Sequence, residues 1–586
     1  MKNFINEIGM PLRLIHNFLP PKKTFQFFLL FLLITAGGIF EAVSLGSVVP
    51  FLVAMAEPLK ILNATEGLRD SLDLNKNLIH AENIKIVFGV LFICISLAAG
   101  GMRILTIWAG LRYSSTAGNN LSSLLFGKVL NQPLSFHLRT NSSTSIDMLT
   151  EKIRLAVVNI NCLVNLLSGL ALVALISVTL LLLSPLSFLF SMTVLGIVYG
   201  TILFCTQKKV IENGKLISRE SVRSIKILQE SLGGVRDILL VKLQVQFCRT
   251  FDDSDSSARN CRTTNTFISF LPRVITESLF LTFFACIAIF LSFKSKSLAE
   301  ALPTLGLLAL GAQRLLPGLQ AVYQNWSTIV GNNPSLALVY KWLEIPSQGV
   351  LPKPAVKKMR FRAKIRFESV CFKYNEKSDP VLQNISFEIN KGAICALVGK
   401  TGSGKSTCLD LLMGLIEPSS GKILIDDKAL SPCTTASWQA LISHVPQAVY
   451  LADTSFAENI AFGIARQNID MHKVREAAHQ SQLGGYIESL EKGYETAIGE
   501  RGTRLSGGQR QRIGIARALY KKSKVLLMDE ATNALDQKTE KKIIETIKGL
   551  DKTLTTIFIS HRQSSLRYCD QVIKIEKHNE KTPRSC

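Results

Sequence analysis

Between Arg154 and Lys208 the chain runs for 53 residues, Leu155 to Gln207, without one charged side chain. A membrane-spanning helix needs about 20 apolar residues, so this stretch is long enough for two. Ser184-Pro185 falls near its middle, where a proline ends one helix and can open the next, and two spans joined by a tight turn are predicted. Four further apolar stretches have the length of a span: Phe25 to Ala56, Ile84 to Leu111, Phe267 to Phe293 and Ala301 to Val330. Six membrane helices are therefore expected, all within roughly the first 340 residues. The remainder has the composition of a soluble protein, so a mean hydropathy of +0.26 averages two unlike halves.

Charge orients the spans, because Lys and Arg gather in cytoplasmic loops. Segment 207–267 carries eleven of them, from Lys208 to Arg262, whereas the turn at Ser184 carries none. Both termini are then inside, loops 112–154 and 207–267 are cytoplasmic continuations of the membrane helices, and segment 57–81 is the main external loop. The triplet Asn63-Ala64-Thr65 in that loop matches a glycosylation sequon, a common chance match of little weight. The net charge of +23 contains no long basic block, and nucleic acid is not expected as a partner. Twelve cysteines are scattered without CxxC spacing and read as reduced thiols, not a zinc or redox site. The first apolar stretch is too long for a signal peptide and is expected to stay in the mature chain.

From about Lys364 short β-type runs alternate with helices, as in an α/β domain. The apolar run Ala393 to Val398 leads into Gly399-Lys400-Thr401-Gly402-Ser403-Gly404-Lys405-Ser406, a complete GxxxxGK[ST] phosphate loop followed by Thr407. Its glycines let backbone N–H groups wrap phosphates at the positive end of the next helix. Lys405 is expected on the β and γ phosphates of ATP and Ser406 on Mg2+. The strand Val525 to Met528 ends in Asp529-Glu530, one carboxylate for the metal and one to polarise the attacking water. Taken alone, an Asp-Glu pair is only a solvated strand end; behind a phosphate loop it reads as catalytic.

These residues resemble the ABC ATPase family, whose signature is Leu505-Ser506-Gly507-Gly508-Gln509. Tyr374 upstream, Gln447 in Val445-Pro446-Gln447, Asn533-Ala534-Leu535-Asp536 and His561 match its other elements. The resemblance implies an adenine platform at Tyr374, a third metal and water contact at Gln447, and a γ-phosphate contact at His561. It also implies a composite site, in which Ser506, Gly507, Gly508 and Gln509 of one subunit close over the ATP held by Lys405, Gln447 and His561 of another. Both half-sites look intact, so a homodimer is expected and a heterodimer stays open. Asn533 stands where many relatives carry Ser, a departure expected to matter little.

A membrane domain fused ahead of the ATPase resembles the exporter branch of ABC transporters, also called type IV. Gln132-Pro133-Leu134-Ser135-Phe136 and Glu230 to Arg236 match its two coupling loops, and Glu500 is the expected contact beside the signature. The reading is an all-α six-helix transmembrane domain over 1–345, a linker over 346–363 and an α/β ATPase domain over 364–586.

Charges inside apolar spans are expensive and point to function by default. Five stand out: Glu41, Arg103, Arg273, Glu277 and Arg314. Arg103 and Arg314 lie roughly 20 to 26 Å along their helices from the outer ends. Arg273 and Glu277 are four apart and can neutralise each other, and both glutamates read as structural. The three arginines read as contacts for an anionic headgroup whose lipid tail stays in the bilayer. Leu271-Pro272-Arg273 with Glu277, and Leu308-Ala309-Leu310 with Arg314 to Pro317, resemble the PglK-type flippases of lipid-linked oligosaccharides. That resemblance implies a polyprenyl-diphosphate-linked saccharide as cargo, met by Arg103, Arg273 and Arg314, in a bacterial inner membrane with the ATPase domain in the cytoplasm. A general lipid or multidrug exporter is the alternative, and a membrane ATPase regulating a partner is the alternative of another class.

Overall fold

The computed structural model describes residues 2–56, 81–183, 185–294, 298–346, 359–375, 379–550, 553–560, 562 and 566–576. Contacts divide the chain into two compact units, Met1–Gln132 with Thr140–Ser347 and Pro133–Arg139 with Gln348–Cys586.

The first unit is helical: α1 (Lys2–Phe18), α2 (Pro21–Gly46), α3 (Val48–Ala56) and α4 (Ala81–Leu130) come first. Leu134–Arg139 forms α5, which belongs to the second unit by its contacts. α6 (Ser142–Asp147), α7 (Ile153–Leu183), α8 (Pro185–Gly233), α9 (Val235–Val241), α10 (Gln244–Lys294) and α11 (Leu298–Glu344) follow. Among the described residues three stretches are long and apolar enough to cross a membrane: Pro21–Gly46, Lys85–Leu130 and Ser142–Thr179. The apolar runs that begin at Pro185, Phe267 and Ala301 also lie on helices, namely α8, α10 and α11. The external loop 57–80, with its sequon, lies outside the described residues.

One expected span is interrupted. Phe25 to Ala56 breaks at Ser47, between α2 and α3. The Ser47 hydroxyl donates to the Ser44 carbonyl at 2.7 Å, and Pro50 has no N–H to return to Gly46, so the helical ladder is weakened at one point from both sides. Elsewhere the helices pack through small residues, as membrane helices do where close approach replaces a hydrophobic drive. A Cβ on Gly214 of α8 would lie 2.1 Å from the carbonyl oxygen of Gly331 on α11, and one on Gly38 would strike Leu175 at 2.8 Å. Leu121, Leu125, Leu163, Trp326, Ile329 and Val339 fill the core between α4, α7 and α11. At the foot of this core a π-helical turn, Met148–Lys152, joins α6 to α7. There Lys152 Nζ lies 3.2 Å from Asp147 Oδ2 with both side chains 1% exposed.

The second unit holds two sheets. The antiparallel one has the order β2 (Leu382–Asn390), β1 (Lys364–Phe372), β4 (Ser420–Ile425), β5 (Lys428–Ala429). β1 buries Ile365, Phe367, Val370 and Phe372 along one face, and Phe367 stacks on Phe387 of β2 at 4.4 Å. The parallel sheet runs β6 (Ile442–Val445), β7 (Val525–Asp529), β8 (Thr555–Ile559), β3 (Ile394–Val398), β9 (Gln571–Lys574). Its inner strands, such as Thr555–Ile559, are buried on both faces, which is why they read as unbroken apolar runs. The helices are α12 (Lys405–Leu412), α13 (Pro432–Gln439), α14 (Phe456–Ile460), α15 (Met471–Gln480), α16 (Gly484–Glu488), α17 (Gly507–Tyr520) and α18 (Gln537–Leu550). Parallel pairing sets the carboxyl ends of β3, β6, β7 and β8 along one edge, and the loops leaving them form the site.

Candidate functional site

The loop between β3 and α12 is built for close approach. Gly402 and Gly404 have φ of 79° and 94°, which side chains with a Cβ rarely adopt. A Cβ on Gly399 would sit 2.2 Å from the Ile575 carbonyl oxygen, and one on Gly404 would sit 2.6 Å from Leu382. Lys405 folds over this loop, its ammonium donating to the carbonyls of Gly399 at 2.9 Å and Lys400 at 3.0 Å. Ser403 is 1% exposed and its hydroxyl has no partner. A cradle too narrow for a Cβ, an orphaned hydroxyl and a buried ammonium at a helix N-terminus fit a polyphosphate. Thr407 Oγ1 is 3.1 Å from the hydroxyl of Tyr374, which brings that half-exposed ring to the start of α12.

Across the edge, the Asp529 carboxylate at the end of β7 faces Ser406. Burial raises its pKa, against the pull of Ser406, His444 and Lys405, so it sits where a cation is welcome. Among the described residues no cluster of three His, Cys, Asp or Glu side chains is set to hold a metal ion. Ser406 and Asp529 are hard oxygen donors of the kind that hold Mg2+ when water and phosphate oxygens complete its shell. Behind them Asp410 of α12 has its carboxyl raised to about 6 by burial and by the charge of Asp529.

Glu530 follows in a left-handed conformation, φ 47°, that turns the chain sharply off the strand. Its Oε2 accepts the amide of Gln447 at 3.0 Å and the amide of Asn533 at 2.8 Å. Asn533 was expected to matter little, yet its longer amide reaches the carboxylate directly. The segment 533–535 is itself pinned. Ala534 N–H donates to Gln511 Oε1 at 3.0 Å, while Arg562 donates to the carbonyls of Asn533 at 2.8 Å and Leu535 at 3.0 Å. Arg562 is held in turn by buried Glu540 at 3.0 Å. Gln511 and Arg562 escaped the sequence reading; adjacency to the signature and to His561 was the only signal. His561 lies outside the described residues.

The signature packs beside segment 533–535 at the start of α17. Ser506 caps α17, accepting the N–H of Gln509, whose side chain returns to the Ser506 N–H at 2.8 Å. Gly508 passes so close to segment 533–535 that a Cβ would lie 3.0 Å from the Ala534 carbonyl oxygen. Among the described residues no hydrogen bond joins Ser506, Gly507, Gly508 or Gln509 to Gly399, Lys400, Thr401, Gly402, Ser403, Gly404, Lys405 or Ser406. In the same unit Leu134 of α5 packs against the core around β1 and β3, and the Arg139 guanidinium donates to the Tyr374 carbonyl.

A second concave site lies within the first unit. A cavity of about 820 Å³ opens between α2, α4, α7 and α11, lined by Glu41, Ser44, Arg103, Thr106, Asn165 and Asn325 among others. Arg103 Nη1 is 3.7 Å from Glu41 Oε1, with Glu41 10% and Arg103 60% exposed. Sequence reading had kept these two apart, one structural and one functional. Arg273 does not line this cavity; its Nε donates to Glu277 at 2.8 Å on the same face of α10. Arg314 lies on α11, with its side chain outside the described residues.

Residues 382–533 match the ABC transporter family and residues 24–301 the ABC transporter transmembrane region. The chain is 42% identical over 218 residues to the ATP-dependent lipid A-core flippase of Hahella chejuensis, a match covering 37% of each chain. It is 39% identical over 210 residues to ABC transporter B family member 13 of Arabidopsis thaliana, covering 36% of this chain and 17% of that one. The matches therefore span well under half of these curated relatives. In fold it is similar to a bacterial Atm1-family ABC exporter with ATP bound, at a TM-score of 0.71 and 22% identity, over 91% of this chain and 94% of that one.

Proposed function

We propose that this chain, an ABC transporter membrane region and an ABC ATPase domain in one polypeptide, is half of an ATP-driven exporter of lipid-linked anions. ATP binds the loop Gly399 to Thr407 with its adenine against Tyr374, Lys405 neutralises the phosphates, and Ser406, Asp529 and Gln447 hold Mg2+. The metal supplies charge neutralisation at the transferring phosphate. Glu530 orients and deprotonates the attacking water, and His561 contacts the γ-phosphate. Ser506 to Gln509 come from a second copy of the chain, which suits their making no hydrogen bond to the phosphate loop among the described residues. The lone chain then has an incomplete cage, and hydrolysis requires the pair.

The cargo proposed is a polyprenyl-diphosphate-linked saccharide, moved from the inner to the outer leaflet of a bacterial inner membrane. The observation that carries it is an arginine, Arg103, on the wall of a cavity within the apolar unit. A guanidinium binds phosphate oxygens bidentately, and a polyprenyl tail can stay in lipid while its headgroup crosses. Arg273 and Arg314 are proposed to meet the same headgroup along its path. The lipid A-core flippases among the relatives favour a second reading, a phosphorylated glycolipid without a polyprenyl carrier.

The test is ATP-dependent flipping in proteoliposomes of a fluorescent polyprenyl-diphosphate saccharide, a lipid A analogue and a neutral dye. Transport of the first alone supports the proposal, and of the second alone the other reading. Transport of the neutral dye alone removes both. Glu530→Gln is expected to keep ATP binding and lose flipping, separating transport from spontaneous scrambling.

A further inference from the structure

The cavity in the first unit contains a charge arrangement that the transport proposal does not use. An arginine within an apolar span needs a counter-charge, and Glu41 supplies it from a different helix. The contact is loose. At 3.7 Å the Arg103–Glu41 pair lies beyond hydrogen-bonding range, whereas Arg273 and Glu277, neighbours on one helix, close to 2.8 Å. A guanidinium has five N–H donors in a planar fork, and the approach to Glu41, at 3.7 Å, is too long to be a hydrogen bond. Glu41 is the better buried partner, while most of the Arg103 side chain is exposed and it borders an opening of about 820 Å³. The wall beside them carries polar side chains, among them Asn165 and Asn325, whose amides keep N–H donors for phosphate oxygens, while the Thr106 hydroxyl is committed to the Met102 carbonyl at 2.9 Å.

The backbone supports a pair that can open. Gly37 and Gly38 precede Glu41 by one turn, and Cβ atoms there would meet Thr106 at 3.2 Å and Leu175 at 2.8 Å, so α2 is held tightly on one side. On the other side it breaks at Ser47, six residues after Glu41, and Val48 and Phe51 of α3 complete the cavity wall. Glu41 thus stands between a fixed crossing and a break, where its carboxylate can withdraw by small backbone changes.

From this geometry we infer that Glu41 is an internal stand-in for the cargo's anion: it occupies Arg103 in the empty protein, and a lipid phosphate replaces it through an exchange of ion pairs. The inference rests on the proposal that Arg103 meets the headgroup, and it adds a specificity determinant. A neutral amphiphile cannot displace Glu41 and gains nothing from Arg103. A phosphate offers bidentate oxygens at hydrogen-bonding distance and wins the exchange.

The experiment measures binding of polyprenyl diphosphate, a lipid A analogue and neutral polyprenol to the full-length protein in nanodiscs, with lipid-stimulated ATP turnover as a second readout. Glu41→Gln keeps the shape of the side chain and removes the competing charge, and it is expected to tighten phosphorylated-lipid binding by about 5- to 10-fold. Arg103→Gln should weaken it by at least as much, and the double variant should behave as Arg103→Gln alone, because nothing is left to compete for. Neutral polyprenol should respond to neither substitution. Glu41→Asp keeps the charge on a shorter stem, should fall between wild type and Glu41→Gln, and serves if Glu41→Gln folds poorly. Unchanged or weaker phosphorylated-lipid binding in Glu41→Gln, or additive effects in the double variant, overturns the exchange while leaving the cargo proposal standing. Tighter binding of the lipid A analogue but not of polyprenyl diphosphate keeps the exchange and overturns the polyprenyl carrier. If wild type binds neither phosphorylated lipid, both fall.

Discussion

The side-chain amide of Asn533 donates to Glu530 Oε2 at 2.8 Å, on the same oxygen that takes the Gln447 amide at 3.0 Å. Two N–H donors on one carboxylate oxygen compete with the attacking water for it. Asn533→Ala is expected to raise ATP turnover about threefold, a barrier lower by ~0.7 kcal/mol, with the KM for ATP little changed. A tenfold fall in kcat at unchanged stability would show that the amide positions Glu530 and does not restrain it.

The Asp147–Lys152 pair is almost wholly buried, and Lys152 also donates to the Ser218 carbonyl at 3.1 Å while Asp147 accepts from Ser221 at 2.6 Å. Lys152→Met strands a carboxylate and is expected to cost about 3–5 kcal/mol, read as a lower melting temperature in detergent. Adding Asp147→Asn to it should restore much of the loss. If the double variant is no better than the single one, the pair is not what holds this turn.

Gly399→Ala drives a methyl into the Ile575 carbonyl, and Gly404→Ala meets both a clash and a left-handed φ. Each should weaken binding of a fluorescent ATP analogue by more than about tenfold, roughly 1.4 kcal/mol. Gly402→Ala has the φ without the clash, since nothing lies within 4 Å of its added Cβ, and should lose less. Equal losses at Gly402 and Gly404 would mean that backbone freedom, not the clash, decides there.

Asp410 provides a pH dependence. Its carboxyl is raised to about 6, first by burial and then by Asp529. A carboxyl raised in the folded state adds stability that is complete below its unfolded pKa, about 3.9, and is lost as pH climbs through the folded value. Between about pH 5 and 7.5, free of metal and nucleotide, the ATPase unit should lose about 1 kcal/mol, allowing for partial exposure of the side chain. Asp410→Asn should flatten that slope. A slope that persists in the variant assigns it to another group.

Local signals were legible in the sequence wherever one segment decides the outcome. The phosphate loop needs only its glycines and Lys405, and Pro185 opens α8 because a proline is well suited to the first turn of a helix. The helix break at Ser47 was missed, since Phe25 to Ala56 is apolar throughout and hydropathy does not see a hydroxyl bonding back to the Ser44 carbonyl. Contacts between distant segments were the least legible. Glu41 and Arg103 are 62 positions apart on separate helices, and only the packing of α2 on α4 brings them together. Arg562 is tied to segment 533–535 by β7 and β8 lying side by side, which no spacing rule reports.

The 50 residues of α4 make a rod of about 75 Å, while the hydrocarbon layer it crosses is about 30 Å thick. No proline interrupts it, whereas α10 contains Pro272. Pivoting near the middle of the bilayer, it has one arm of about 15 Å and another of about 60 Å. A tilt of about 5° shifts the short end by little more than 1 Å and the long end by about 5 Å, close to one helical turn. Mechanical gain is therefore built into the length of a single helix, and a sideways shift of about 1 to 2 Å at Arg103 becomes about 5 Å at the far tip.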